Sequence, residues 1–213
     1  IQAVLEGKVE QLVLVNCCDS MRRVYDIVES TGKCKFLYML DMPHEDNDCE
    51  KVKLAQGIHR LKKAYEKFSG KTFDRSGFLN AFSHEPVDNQ PYIGVLGVRV
   101  SGILEKMIRD NIRMDVENLT CTGGRRLAVI REELEKMEDD AMFLAYADAL
   151  LSQMPCFRMN NSTRRNRLYL DPNLKGIIYH TIKFCDYYGF EYASIKRDIK
   201  VPLLKIETDF TSQ

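Results

Sequence analysis

Short apolar runs alternating with amphipathic stretches restrict what this chain can fold into more than any other feature. QLVLVN (11–16), KFLYMLDM (35–42), YIGVLGV (92–98), GIIYHT (176–181) and VPLLKIET (201–208) are each bounded by polar or turn residues. Such short apolar runs fit strands buried in parallel sheets. IRMDVEN (112–118) is a sixth, more polar candidate. Between the runs lie helical patterns. MRRVYDIVEST has Asp19 or Ser20 as its expected cap and stops at Gly32. The stretch from 48 to 68 carries an apolar stripe of Val52, Ala55, Ile58, Leu61, Tyr65 and Phe68, with Gly57 as a weak point and Gly70 as its end. A shorter helix is expected over 75–82, and SGILEKMIRDN is expected to be capped by Ser101. Others are expected over 126–137, 140–152 and 162–170, and over part of YYGFEYASIKRDI. Strand–helix–strand alternation predicts an α/β fold with two Rossmann-like parallel-sheet domains facing a cleft. SHEPVDNQP (83–91), with two prolines, reads as the joint. The expected division is therefore a first domain over 1–84, a linker over 85–91 and a second domain over 92–213.

Charge and composition remove several function classes. Thirty-one basic residues balance 31 acidic ones, which argues against a nucleic-acid partner. No apolar run approaches the roughly 20 residues that cross a bilayer, and IQAVLEGKVEQ shows no secretory pattern. A cytoplasmic protein with no membrane partner is the expectation. No P-loop and no G-x-G-x-x-G is present, so any ATP hydrolysis must come from another protein. No serine, histidine and aspartate set stands out as a triad.

The seven cysteines (17, 18, 34, 49, 121, 156 and 185) are odd in number and form no C-x-x-C pair. A disulfide framework, a local zinc knuckle and a bacterial ferredoxin motif are all disfavoured. Metal ligands, if any, must come from loops distant in sequence. In open α/β sheets ligands sit beyond the carboxyl ends of strands. Cys17 and Cys18 follow one predicted strand, Cys121 another and Cys185 a third, while Cys156 lies in the loop MPCFRMNN. Cys34 precedes a strand and Cys49 opens a helix, so both read as structural. The competing reading makes all seven small buried hydrophobes.

Six stretches taken in order resemble one family. They are NCCDSMRRVYD, FLYMLDMPH, ENLTCTGGRR, PCFRMNNSTRRNRL, GIIYHTIKFCDYYGFE and VPLLKIETDF. Together they resemble the 2-hydroxyacyl-CoA dehydratases, of the 2-hydroxyglutaryl-CoA dehydratase D-component kind, whose subunits are also similar to benzoyl-CoA reductase subunits. The resemblance implies an oxygen-sensitive subunit holding a 4Fe–4S cluster through three cysteine thiolates, with one iron open. Cys18 matches the family's C-D-S-M-like turn and Cys185 its F-C-D-x-Y-G-like turn, which implies both as metal ligands. It also implies an acyl-CoA substrate, a related second subunit or homodimer, and a separate ATP-dependent iron–sulfur activator that injects one electron. A ketyl radical then makes loss of the 2-hydroxyl and a 3-proton feasible.

Some features depart from that pattern. The family's remaining cysteine ligand lies upstream of the C-D-S-M-like turn, where this chain has no cysteine. The expectation is a chain lacking the N-terminal segment, and lacking the family's C-terminal helix beyond Gln213. Gly97-Val98-Arg99 stands where relatives carry a small residue and a proline.

Most of the remaining candidates carry competing readings. Cys156 either replaces the absent ligand, lines the cleft, or is a packed loop thiol. Cys17 is expected to be buried beneath its turn. Arg22 and Arg23 either face a CoA phosphate or the cluster's charge, or form a solvated helix face. Gly123 and Gly124 either let backbone N–H groups approach a phosphate or make a tight turn. Arg164, Arg165 and Arg167 either meet an anionic cofactor tail or are solvated. His180 either exchanges a proton near Cys185 or is a satisfied core histidine. Glu207 and Asp209 either line the cleft or cap the next segment. Beside the dehydratase stand two alternatives: an iron–sulfur reductase or electron carrier not acting on CoA esters, and a cluster-free ligand-binding or interaction domain.

Overall fold

The computed structural model describes residues 1–81, 90–121, 131–153, 168–183 and 185–209. They form two compact units, one of Ile1–Ser83 with Leu127–Ser152, the other of His84–Arg126 with Gln153–Gln213. Both contain parallel sheet, so the protein is α/β. Among the described residues no helix is long and apolar enough to cross a membrane.

The first unit runs α1 (Gln2–Leu5), β1 (Gln11–Asn16), α2 (Asp19–Thr31), β2 (Phe36–Asp41), α3 (Asp48–Ser69) and α4 (Arg75–Asn80). The two strands pair in parallel, from Gln11 opposite Phe36 to Asn16 opposite Asp41. Gly32 (φ 62°) and Gly70 (φ 68°) end α2 and α3 in the left-handed conformation that glycine adopts without a Cβ penalty. The expected stripe of α3 is rotated. Leu54, Ala55, Gly57 and Ile58 are buried, whereas Val52, Tyr65 and Phe68 are exposed. Gly57 explains the shift: a Cβ there would lie 3.2 Å from Leu40 Cδ1, so the bare backbone lets α3 approach β2 closely.

The two units group one segment differently from the expected division of the chain. The segment holding α6 (Arg131–Glu135) and α7 (Asp139–Ser152) belongs to the first unit rather than the second. The cause is a mixed apolar and ionic dock. Phe143 of α7 meets Phe73 and Phe78 at ring distances of 5.5 and 5.8 Å. Asp139 accepts from Lys62 (3.1 Å) and Arg75 (2.6 Å), and Arg75 also donates to the carbonyls of Leu134 (3.0 Å) and Met137. These carbonyls lie in and just past the last turn of α6, where unpaired acceptors collect. Lys51 of α3 reaches Asp148 at 2.9 Å.

The second unit holds β3 (Tyr92–Gly97), α5 (Gly102–Asn111), β4 (Asp115–Asn118), β5 (Leu174–Ile182), α8 (Asp186–Asp198) and β6 (Leu203–Thr208). Its four strands are all parallel, in the order β4-β3-β5-β6. Ser101 caps α5 as expected, accepting from Leu104 N–H at 3.2 Å. Two apolar layers flank the sheet. Leu96, Ile177 and Tyr179 pack with Tyr188 and Ile195 of α8. Val95 and Ile178 pack with Leu104 and Ile108 of α5. Glu191 of α8 is buried in the first layer and accepts from the hydroxyls of Tyr179 and, at 3.0 Å, Tyr169.

Candidate functional site

One strand in each unit, β1 in the first and β5 in the second, ends in the same way: apolar strand, cysteine at the turn, helix. In the first unit Cys18 is the N-cap residue of α2, not Asp19 or Ser20 as expected. Its backbone is extended, and its carbonyl accepts from Met21 and Arg22 N–H at 3.0 and 3.1 Å. Cys17 is exposed rather than buried beneath the turn. Its N–H bonds back to Val15 O at 2.8 Å, which turns the chain out at the strand end. Arg22 lies over this edge with its guanidinium on Asn16 Oδ1 and, at 3.4 Å, on Asp19. Asn16 in turn donates to Asp41 at 2.9 Å. Arg22 is thus engaged by a surface polar network, and Arg23 pairs with Asp26 at 3.0 Å.

In the second unit Cys185 is the N-cap residue of α8, three residues past β5. It is half-buried, packs against the α8 layer, and donates its N–H to Ile182 O at 3.1 Å. An open recess of about 330 Å³ adjoins it, lined among others by Thr181, Lys183, Phe190 and Glu207. Lys205, 2.7 Å from Glu207, holds that carboxyl below the usual carboxylate range. Glu207 therefore lines the recess as an anion, and Asp209 pairs with Lys183 at 3.6 Å. A larger recess of about 840 Å³ lies at the opposite edge of the sheet, by Pro91, Ile93, Pro202 and Leu204. It carries no thiol and sits at the amino ends of strands, the wrong end for ligand binding in a parallel sheet.

His180 is a core histidine, 1% exposed. Its Nδ1 faces Val98 O at 3.1 Å and its Nε2 faces Thr208 Oγ1 at 2.9 Å. A carbonyl can only accept, so Nδ1 carries a proton, and the threonine hydroxyl is the partner at Nε2. The ring has no open side toward a substrate. Val98 and Thr208, 82 and 28 residues away from it, had no local sequence signal that could have marked them.

The reading of the cysteines as buried hydrophobes is overturned for the six described ones. All are exposed or half-buried: Cys17, Cys49 and Cys121 exposed, Cys18, Cys34 and Cys185 intermediate. Cys121 follows β4 and shares the carboxyl edge with Cys185, but β3 lies between their strands. At about 4.8 Å per strand the two strands are about 10 Å apart. Cys156, Gly123, Gly124, Arg164, Arg165 and Arg167 lie outside the described residues, as do positions 126–130 of the helix expected over 126–137 and 162–167 of that expected over 162–170.

A 4Fe–4S cluster requires several convergent thiolates. Among the described residues no three histidine, cysteine, aspartate or glutamate side chains are grouped to hold a metal ion. The described donor set therefore does not by itself fit a cluster. Cys18 and Cys185, one in each unit, are instead half-buried thiols just past a strand, each at a helix start whose amide dipoles favour negative charge.

A family model described as 2-hydroxyglutaryl-CoA dehydratase, D-component, matches residues 88–213, more than half of the chain. The match takes in Cys121, Cys156 and Cys185 and begins after Cys18. No curated protein matches the chain.

Proposed function

The chain belongs to the 2-hydroxyglutaryl-CoA dehydratase D-component family, and from that premise we propose that it is an iron–sulfur subunit of a 2-hydroxyacyl-CoA dehydratase-like enzyme. The observation that carries the reading is Cys185, an accessible thiol at the carboxyl end of β5 within the matched region. Cys18, set the same way after β1, is its counterpart in the first unit. Both are proposed as thiolate ligands to iron, since soft thiolates suit iron–sulfur ligation. Cys156 is the proposed further thiol on this chain. The reaction is radical elimination of water from a 2-hydroxyacyl-CoA. An ATP-dependent activator supplies the electron, a related subunit or second copy completes the enzyme, and the setting is the anaerobic cytoplasm. Arg22, Gly123 and Gly124 are proposed contacts to the substrate's anionic end.

Iron and sulfide analysis of anaerobically prepared protein, together with its partner subunit, tests the reading. Cys18→Ala and Cys185→Ala should each lower bound iron, while Cys49→Ala should not. Iron-free wild-type protein would remove the iron–sulfur reading. It would favour the alternative of a cluster-free ligand-binding or interaction domain. Binding of an acyl-CoA, assayed with and without the activator, separates the dehydratase from an electron carrier not acting on CoA esters.

A further inference from the structure

We propose that His180 is a positioning residue that ties the loop after β3 and the turn carrying Cys185 into one hydrogen-bonded frame. This deepens the reading above, since it rests on Cys185 being the functional thiol of the second unit. The frame can be followed bond by bond. Val98 N–H donates to His180 O at 2.9 Å, and the ring of His180 donates back from Nδ1 to Val98 O at 3.1 Å. The loop at the carboxyl end of β3 is thus held at both polar atoms of one residue. On the other side Thr208 Oγ1 donates to Nε2 at 2.9 Å. The carbonyl of Thr208 accepts from Lys183 N–H at 3.0 Å, and Cys185 N–H donates to Ile182 O at 3.1 Å. Three strand ends, those of β3, β5 and β6, meet through one ring.

Only histidine meets these demands well. The span needs a donor at one end and an acceptor at the other on a rigid side chain. Lysine and arginine only donate, and an aliphatic residue would leave the Val98 carbonyl and the Thr208 hydroxyl without their partner. At 1% exposure the ring itself touches no substrate, so its effect passes through the backbone of the turn. Gly97 permits the arrangement: at φ 95° it brings the β3 chain against the His180 carbonyl, where a Cβ has no room.

The test uses the full chain. In protein labelled with 15N-histidine, the imidazole correlation spectrum should place the His180 proton on Nδ1, with the signal identified by its absence in His180→Gln. A proton on Nε2 overturns the proposal, whatever any variant does. The second measurement is the alkylation rate of Cys185 by iodoacetamide under reducing, anaerobic conditions, after any bound iron has been assayed and then removed with a chelator, because only an unligated thiolate reacts. It is read by peptide mass spectrometry with Cys49 as the reference in the same sample. Thr208→Val removes the hydroxyl and keeps the shape, so Cys185 should react about tenfold faster, the factor that one lost hydrogen bond imposes on a local opening. Thr208→Ser keeps the hydroxyl and should stay within about twofold of wild type. Equal rates for Thr208→Val and wild type, an equal rise in Thr208→Ser, or a matching rise at Cys49 would each overturn it. Iron content is a separate readout. Protein isolated without iron that shows this labelling pattern removes the cofactor reading alone, and protein isolated with iron that lacks the pattern once stripped removes the frame alone.

Discussion

Replacing Gly97 by alanine should destabilise the second unit far more than a surface glycine substitution would. Gly97 has φ 95°, and a Cβ built on it would lie 2.0 Å from the carbonyl oxygen of His180. A carbon–oxygen contact relaxes to about 3.3 Å, so the β3 end and β5 must part by about 1.3 Å. The displaced carbonyl is the acceptor of Val98 N–H, and the same movement pulls Val98 O away from the His180 ring. A left-handed conformation costs a Cβ-bearing residue about 1 kcal/mol. Two disrupted hydrogen bonds, one leaving a buried ring N–H unsatisfied, add about 2 kcal/mol. With a urea dependence of about 2 kcal/mol per molar, the total of about 3 kcal/mol moves the midpoint down by about 1.5 M. Gly102 supplies the control, because it opens α5 at the end of the same loop and a Cβ there meets nothing within 4 Å. Gly102→Ala should be neutral or stabilising by about 0.5 kcal/mol through helix propensity. Urea unfolding is followed by far-UV circular dichroism and by tyrosine fluorescence, since the chain has ten tyrosines and no tryptophan. Midpoints for the two variants within about 0.3 M of each other, about a fifth of the expected shift, would refute the close-approach argument.

Two further outcomes concern buried or paired carboxylates. Lys62, and then Arg75, hold the Asp139 carboxyl below the usual range. A depressed carboxylate contributes stability above its unfolded value of about 4 and loses it as pH falls through the lower folded value. Asp139→Asn should therefore flatten the acid limb of the first unit's stability below about pH 4. The loss at neutral pH should be only about 0.5–1 kcal/mol, because solvent screens the partly exposed pair. Thermal melts from pH 2 to 7 check this, and an unchanged acid limb contradicts it. In the second unit, Glu191→Ala removes the acceptor of the Tyr179 and Tyr169 hydroxyls and should cost about 2–3 kcal/mol, against about 1 kcal/mol for Glu191→Gln. Equal melting points for the two would show that the tyrosine hydroxyls do not depend on that oxygen.

Much of the architecture is legible in the chain itself. Five apolar runs and the more polar IRMDVEN, each ending in turn residues, marked the six strands of the described residues, because run length and flanking turn residues are local signals. Gly32, Gly70 and Ser101 marked helix ends, because left-handed backbone and unpaired N–H groups select those side chains locally. Cys18 and Cys185 could be placed at strand ends by order alone. Other features depended on residues distant in sequence. The docking of α6 and α7 on α3 and α4 follows from Asp139 meeting Lys62 and Arg75, pairs 77 and 64 residues apart, and no local pattern encodes which unit a helix joins. The buried face of α3 turned on Gly57 letting Leu40 approach, which a stripe counted by hydrophobicity ranks as a flaw. His180 shows the difference most plainly. From its sequence position it could be a proton donor or a core residue. Its burial and its two partners, a backbone carbonyl from the β3 loop and a hydroxyl from the end of β6, set its proton and its role. Local propensity determines which elements form; contact between distant elements determines what each side chain is then able to do.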